Sequence, residues 1–318
     1  MTRRLLGEWE EQSYVQLCFP HKNTDWNDYL DEMIPVFDTI ANIIAKYQKC
    51  LVCFEDEATI KNIKNNQNII FKKVSTDDTW CRDFGAITIE ENDSLQLLDF
   101  TFNGWGNKFN ASKDNDINKQ IFNDTKKIDF VLEGGSIDSN GSGVILTTSD
   151  CLLEKNRNPQ FTKKQIEQKL KFNFGAKKII WLNHGFLEGD DTDSHIDMLA
   201  RFVDSNTISY VKCDDKNDVH YEELSKMEEE LKQTKFNLVP LPWISPKYYD
   251  NERLPASYAN FLIINGAVLV PTYSDKNDEK ALNIFRELFP DRDIIDIDCS
   301  KIIRQHGSLH CLTMQYYH

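Results

Sequence analysis

The chain is short of positive charge: 37 Lys and Arg stand against 51 Asp and Glu in 318 residues, a formal net charge of −14. That balance disfavours the phosphate backbone of a nucleic acid as partner and suits a small cation, although solubility alone accounts for the same surplus. No apolar run reaches the roughly 18 to 20 residues that cross a bilayer, so no membrane partner is expected. Arg3 and Arg4 lead not into an apolar signal core but into Glu8, Glu10 and Glu11; without a secretory signal, a cytoplasmic protein is expected. The eight cysteines, at 18, 50, 53, 81, 151, 213, 299 and 311, lack the dense spacing of a disulfide framework, and reduced thiols follow. Cys50 and Cys53 form a CxxC, but no second CxxC or His pair is placed to complete a tetrahedral zinc site. The pair opens an apolar run that reads as a buried strand. No linker, low-complexity tract or charge block interrupts the chain, so residues 1–318 are expected to form a single domain.

What is present is a repeat. Leu30, Met33, Ile34, Phe37, Ile40, Ile43 and Ile44 recur at helical spacing between residues 26 and 47, and a strand over 50–54 follows. Residues 130–133 and 143–147 read as a hairpin joined by the glycine-rich 134–141, followed by a helix over 161–174 and a strand over 178–182. The same order returns later: strands over 261–264 and 267–270 across Asn265-Gly266, a helix over 279–288, a strand over 294–297. A strand over 207–212, a helix over 221–233 and a strand over 236–241 make another copy. A ββαβ unit repeated at this interval predicts radial or stacked architecture rather than two unrelated domains.

Four polar segments fall where strands or hairpins end: Thr79-Trp80-Cys81-Arg82-Asp83-Phe84-Gly85, Leu132-Glu133-Gly134-Gly135, the acidic run from Gly189 to Asp197 that contains His195, and His306-Gly307-Ser308-Leu309-His310-Cys311-Leu312-Thr313. Chemistry is commonly mounted on such loops. Each alone has an ordinary explanation. Glu-Gly-Gly is a turn and Asp-Asp-Thr-Asp a solvated loop or cap; Asp83 could pair with Arg82, Asp197 could sit at a helix start, and Cys311 could be one more small residue in a strand.

Taken together and in order, the segments resemble the guanidine-modifying enzymes, most closely the agmatine deiminase branch of the peptidyl-arginine deiminase-like family, which carries W-x-R-D-x-G-P, E-G-G, G-D-D-T-D-G-H-x-D and G-G-G-x-H-C-x-T. Its W-G-N-K-like stretch has a counterpart at Trp105-Gly106-Asn107-Lys108. The resemblance spans residues 9–315. It implies an α/β pentein propeller, five ββαβ units with pseudo-fivefold symmetry around a central channel. It implies hydrolysis of agmatine, a small guanidinium cation, to N-carbamoylputrescine and ammonia in polyamine biosynthesis, with no cofactor and no metal; a homodimer is a further expectation. By motif match Cys311 is the nucleophile, His195 the acid and base, Asp83 and Asp197 the carboxylates that grip the guanidinium. Glu133 orients His195 or touches the substrate, Trp80 walls the site, and Asp191 is a candidate for the distal amine. His310 is read as support. Three positions depart from the pattern: Ala86 for proline, Ser194 for glycine, and His306-Gly307-Ser308 for the triple glycine, the last altering backbone freedom beside the nucleophile.

Four other readings stay open. A deiminase could act on free, peptidyl or methylated arginine, and an amidino group could pass to an amine instead of water. His195, Asp197, His184, Asp190, Asp191 and Asp193 could hold a hydrolytic metal. A propeller without chemistry is the fourth.

Overall fold

The computed structural model describes residues 2–63 and 66–317. Its strands fall into five principal sheets. In each, an inner strand pairs antiparallel with a middle strand, and after helical turns an outer strand returns parallel to it. The first sheet runs Ile87–Glu91, Ser94–Thr101 and Lys126–Val131, with Arg3–Leu5 added at its inner edge. The second is Ile137–Ser139, Val144–Thr148 and Lys178–Leu182. The third is Ala200–Asp204, Thr207–Val211 and Asn237–Leu241. The fourth is Leu262–Ile264, Ala267–Thr272 and Asp293–Asp298. The fifth joins the two ends of the chain: Thr313–Tyr317 pairs with Gln12–Cys18, which runs parallel to Lys49–Phe54, with Ile69–Lys73 outermost. Pairing a C-terminal strand with an N-terminal one closes the sequence of sheets into a ring, the radial architecture that the repeat predicts and the pentein arrangement that the resemblance implies.

Helices pack where the 3.6 periodicity places their apolar faces. Helix Leu30–Tyr47 buries Met33, Phe37, Ile40, Ala41 and Ile44, an i, i+3/i+4 stripe. Lys163–Phe174 begins at a capping box between Thr162 and Gln165 and ends at Gly175, whose φ of 63° a Cβ would disfavour. A Cβ there would also lie 1.8 Å from the Arg3 carbonyl oxygen. Tyr221–Lys232 and Asp278–Leu288 close the third and fourth units. Covered by helices outside and by neighbouring sheets within, the fourth sheet's first two strands are buried at every residue, as parallel-type strands enclosed on both faces are. No helix among the described residues is long and apolar enough to cross a membrane.

One expected pairing does not form. Residues 130–133 are not the partner of 143–147: Lys126–Val131 is the outer strand of the first sheet, and the hairpin of the second is Ile137–Ser139 with Val144–Thr148. The reason lies in Gly134 and Gly135. They form a 3-10 turn that carries the chain from the outer strand toward the centre, and a Cβ on Gly134 would stand 2.1 Å from the Arg82 carbonyl oxygen. The CxxC lies within strand Lys49–Phe54, both thiols buried; Cys18 and Cys53 are register neighbours, and burial pushes the Cys50 thiol up to about 12.

Candidate active site

A turn precedes the inner strand of every sheet, and these five turns meet. Cys81–Phe84 carries Asp83, the Gly134–Ser136 turn follows Glu133, Ile196–Met198 follows His195 and carries Asp197, residues 257–260 end on Asn260, and residues 309–312 hold Cys311. Cys311 therefore lies in the turn ahead of strand Thr313–Tyr317 rather than inside a strand. Repetition of one unit makes each sheet offer the same short segment to one centre, and each copy has kept a different polar side chain.

The thiol of Cys311 is buried, 3.7 Å from Asp197 Oδ2, and receives the Asn260 Nδ2 amide at 3.2 Å. Asp197 Oδ2 also meets His310 Nδ1 at 2.9 Å; the other ring nitrogen of His310 lies 2.7 Å from Glu8 Oε2. Glu8 in turn accepts Arg201 Nη2 at 2.7 Å, and Arg201 Nε reaches Asp138 Oδ1 at 3.0 Å. This buried chain of alternating charge anchors Asp197 Oδ2 and leaves Oδ1 without a partner among the described residues. Asp83 is fixed by the Trp105 indole on Oδ2 (2.8 Å) and the Gly135 amide on Oδ1 (2.9 Å), with His195 Nδ1 3.6 Å from Oδ1. Arg82 turns away, its guanidinium toward the His310 carbonyl and Glu8, so Asp83 is not its ion-pair partner. Asp197 lies in a single 3-10 turn and faces His310 and the thiol, so it caps no helix.

His195 is 1% exposed, and neither of its ring nitrogens has a hydrogen-bond partner among the described residues. Glu133 is wholly buried, its Oε1 held by Arg157 Nε at 2.8 Å, its Oε2 unpartnered. Arg157 also bonds Asp193 and the Thr192 carbonyl, while Lys108 bonds Asp193 and the Asp191 carbonyl. Between them they staple the acidic loop over the site. Asp190 spends its oxygens on Thr192 and Ser194, and His184 pairs with Glu223 at 2.9 Å. The hydrolytic metal set read from sequence is accordingly not gathered among the described residues.

The centre opens into a cavity lined by Trp80, Trp105, Phe109, Met198, Gly307 and Thr192, with Asp25, Asp78, Asp83, Asp190 and Asp191, His195, His306, Gln305 and Cys311. No lysine or arginine among the described residues lines it. Trp80 is fixed by its indole bond to Asp78 Oδ2 at 3.1 Å and lies against Gly307, where a Cβ would come within 2.4 Å of the ring. That contact explains why one glycine of the family's triplet persists. The neighbouring departures are accommodated: His306 takes φ +64° and its Nδ1 donates to the Gly189 carbonyl at 2.7 Å, and Ser308 Oγ meets the Tyr273 hydroxyl at 2.7 Å. Ser194 takes φ +66°, a conformation glycine adopts without steric cost, which fits the glycine of the resembled pattern at this place.

Electrostatics sort the groups. Burial, with Asp197 and Asp83 behind it, raises the Cys311 thiol well above its ordinary range. Burial works against charging His195, but Asp83, Cys151 and Glu133 together outweigh it, and the ring is held well above its usual range. Burial lifts Asp83 to about 6, partly offset by His195. It pushes Asp197 up as well, yet the hydrogen bond and charge of His310 bring that carboxyl below normal. At the far wall, burial and the neighbouring Asp190 raise Asp191 to about 6, and burial raises Asp78 to about 7. A site with so many carboxylates held up is one that a cation would relax.

Sequence reasoning reached Cys311, His195, Glu133, Asp83, Asp197, Trp80 and Asp191, and all are brought to this centre or its cavity. It missed Asn260, Glu8, Arg157, Cys151, Asp25 and Asp78. The repeat could have found Asn260, the residue of the fourth unit at the place where the others carry their polar group. No motif marks Glu8.

Five inner turns lending a thiol, three carboxylates, an imidazole and an amide to one centre is the architecture of the pentein enzymes that modify guanidines. Within that class, residues 4–316 match the model of the Porphyromonas-type peptidyl-arginine deiminases, and the chain belongs to that family. A putative agmatine deiminase from Mycoplasma capricolum is 32% identical over 97% of this chain and 94% of its own. The solved agmatine deiminase of C. jejuni, a serine-for-cysteine variant with substrate bound, is 48% identical with a TM-score of 0.98, covering 100% of this chain and 97% of the other. An amidinotransferase from Microseira wollei, 11% identical with a TM-score of 0.54 over 98% of this chain and 96% of the other, shares the fold alone.

Proposed function

We propose that this protein is an agmatine deiminase, hydrolysing agmatine to N-carbamoylputrescine and ammonia from a single catalytic domain, a step toward putrescine. The observation that carries the choice of substrate is the cavity wall: aspartates at both ends and no lysine or arginine among the described residues to receive an α-carboxylate. The C. jejuni relative, whose variant holds its substrate, supports the same reading.

The guanidinium docks between Asp83 and Asp197, each offering an oxygen to its N–H edge. Its positive charge cancels the field that raises the Cys311 thiol, which then gives up its proton to solvent through the open cavity and attacks as thiolate. As the C–S bond forms, His195, charged at rest, hands its proton to the departing nitrogen and ammonia leaves. The neutral ring then takes a proton from water, the hydroxide adds to the thiouronium carbon, and the C–S bond breaks as the hydroxyl proton passes to the departing sulfur, giving the ureido product and the free thiol. Glu133, fixed by Arg157, steadies the charge of His195 through both halves. Trp80 and Trp105 wall the chain of the substrate, and Asp191 receives its distal ammonium.

Ammonia release with agmatine and with arginine in parallel tests the assignment: agmatine alone should be turned over, insensitive to chelator, and release from arginine only would overturn the substrate. Two further outcomes are expected. Asp191→Asn should raise KM for agmatine about tenfold, equal to about 1.4 kcal/mol, with kcat little changed, as loss of a contact made equally in ground and transition states requires. A kcat loss with KM unchanged would contradict that role. Neutral iodoacetamide should alkylate Cys311 slowly at pH 7, the rate climbing as pH passes the ordinary thiol range near 8.5, because burial and two carboxylates hold the thiol up. A rate already level by pH 7 would show a thiolate at rest.

A further inference from the structure

The acid-base histidine shares its chamber with a thiol to which the proposed mechanism gives no part. Cys151, from the turn Ser149–Leu152, is fully buried, and its sulfur, a ring nitrogen of His195 and a carboxylate oxygen of Glu133 all lie within 4.8 Å of one another. We propose that Glu133, Cys151 and His195 form a site for a thiophilic divalent cation, Zn²⁺ or Co²⁺, whose occupation switches the centre off.

Three observations carry this beyond proximity. The donors are chemically matched: one S, one N and one O are the mixed set zinc accepts, with three protein ligands and an open fourth position. They are also vacant. Glu133 Oε2 and both nitrogens of His195 are buried without partners, a state that costs free energy unless something meets them. Finally, carboxylates outnumber cations around the trio: Arg157 is surrounded by Glu133, Asp193 and Glu154 at 2.8, 2.7 and 3.9 Å, and Asp83 stands on the other side of His195; a bound cation displaces the proton that His195 carries at rest, so its affinity rises with pH. Arg157 holds Oε1 and so aims Oε2, the orienting role an outer partner plays at metal sites. Zinc bonds of about 2.0 to 2.3 Å place ligand atoms roughly 3.5 Å apart, so the three need draw in by about 1 Å. His195 lines the cavity, which leaves the fourth position and an entry path through its acidic mouth.

A cation here would occupy the ring nitrogen needed for proton transfer. The binding claim is independent of the proposed reaction; the inhibition rests on it. Titrating Co²⁺ into Cys311→Ser protein, which cannot turn over, separates the two. A thiolate-to-cobalt absorption band is expected there and in the unaltered protein, and its loss in Cys151→Ser. A band absent from both, one lost in Cys311→Ser, or one that survives Cys151→Ser would overturn the site. Because a core substitution can disturb folding, Glu133→Gln in the Cys311→Ser background supplies the check: Co²⁺ affinity should fall about tenfold or more, as even outer partners are worth 10- to 100-fold, and unchanged affinity would overturn it. In the unaltered protein Zn²⁺ should stop ammonia release and EDTA restore it, with Cys151→Ser resisting.

Discussion

Cys311→Ser should abolish ammonia release from agmatine, by about 10⁴-fold or more, while leaving the fold and guanidinium binding in place. The size follows from the role: a hydroxyl in the same pocket has no base poised to ionise it, and knocking out a covalent nucleophile removes the pathway rather than one contact within it. Retention of binding follows from the geometry. Asp83 is held by Trp105 and Gly135, and Asp197 by His310, none of which depends on the sulfur. Replacing S–H by O–H changes little volume, and Asn260 keeps a partner for its amide. Calorimetry with agmatine on the variant should give a dissociation constant within about an order of magnitude of the KM of the unaltered protein, and thermal unfolding should be nearly unchanged. Residual turnover above about one per cent would mean that water attacks directly and that no covalent intermediate is required.

The residues assigned to the chemistry were legible because four polar segments stand in one order along the chain. Cysteine between histidine and leucine after glycine and serine, or histidine among four aspartates, has an ordinary explanation alone and points to a site only in that company. The repeat was legible too, because apolar periodicity reports local structure: strand 178–182 and helices 163–174, 221–232 and 278–288 fall within two or three residues of their expected bounds. What stayed hidden was long-range. Nothing local distinguishes Glu8 from Glu10 or Glu11, yet Glu8 alone is drawn inside to join His310, Arg201 and the backbone amide of Ile263. The misplaced hairpin has the same origin: Phe130 and Leu132 are apolar whether their sheet is the first or the second, and only closure of the ring decides which. Asn260 shows the boundary between the two cases. It is ordinary as a residue and becomes visible only when its place in the repeat is set against Asp83, Asp197 and Cys311.

Gly135 is packed against three polar side chains of the centre, and Gly135→Ala should lower kcat by about 10² to 10³ with only a modest loss of stability. Its backbone conformation is not the issue, since the residue does not lie in the left-handed region. Space is. A Cβ would stand 2.7 Å from His195 Nδ1, 2.8 Å from Asp83 Oδ1 and 3.1 Å from Asp197 Oδ2, in contact with three of the groups that the proposed reaction uses. Each is confined behind: Asp83 by Trp105, Asp197 by His310, His195 by burial, so the methyl cannot be met by the swing of one flexible side chain. Overpacking of this kind costs about 1 to 3 kcal/mol in stability, which a chain with so large a core should survive. Displacement of reacting groups by about 1 Å costs about a hundredfold in rate, and here two or more move together. Steady-state kinetics beside thermal unfolding separate the effects: a folded protein with kcat reduced at least a hundredfold is expected, and near-normal turnover would show that the three side chains are far looser than their packing implies. Gly134→Ala provides the contrast. Its Cβ would meet the Arg82 carbonyl oxygen at 2.1 Å, a backbone atom that cannot step aside, so the damage there should fall first on folding and only secondarily on the reaction.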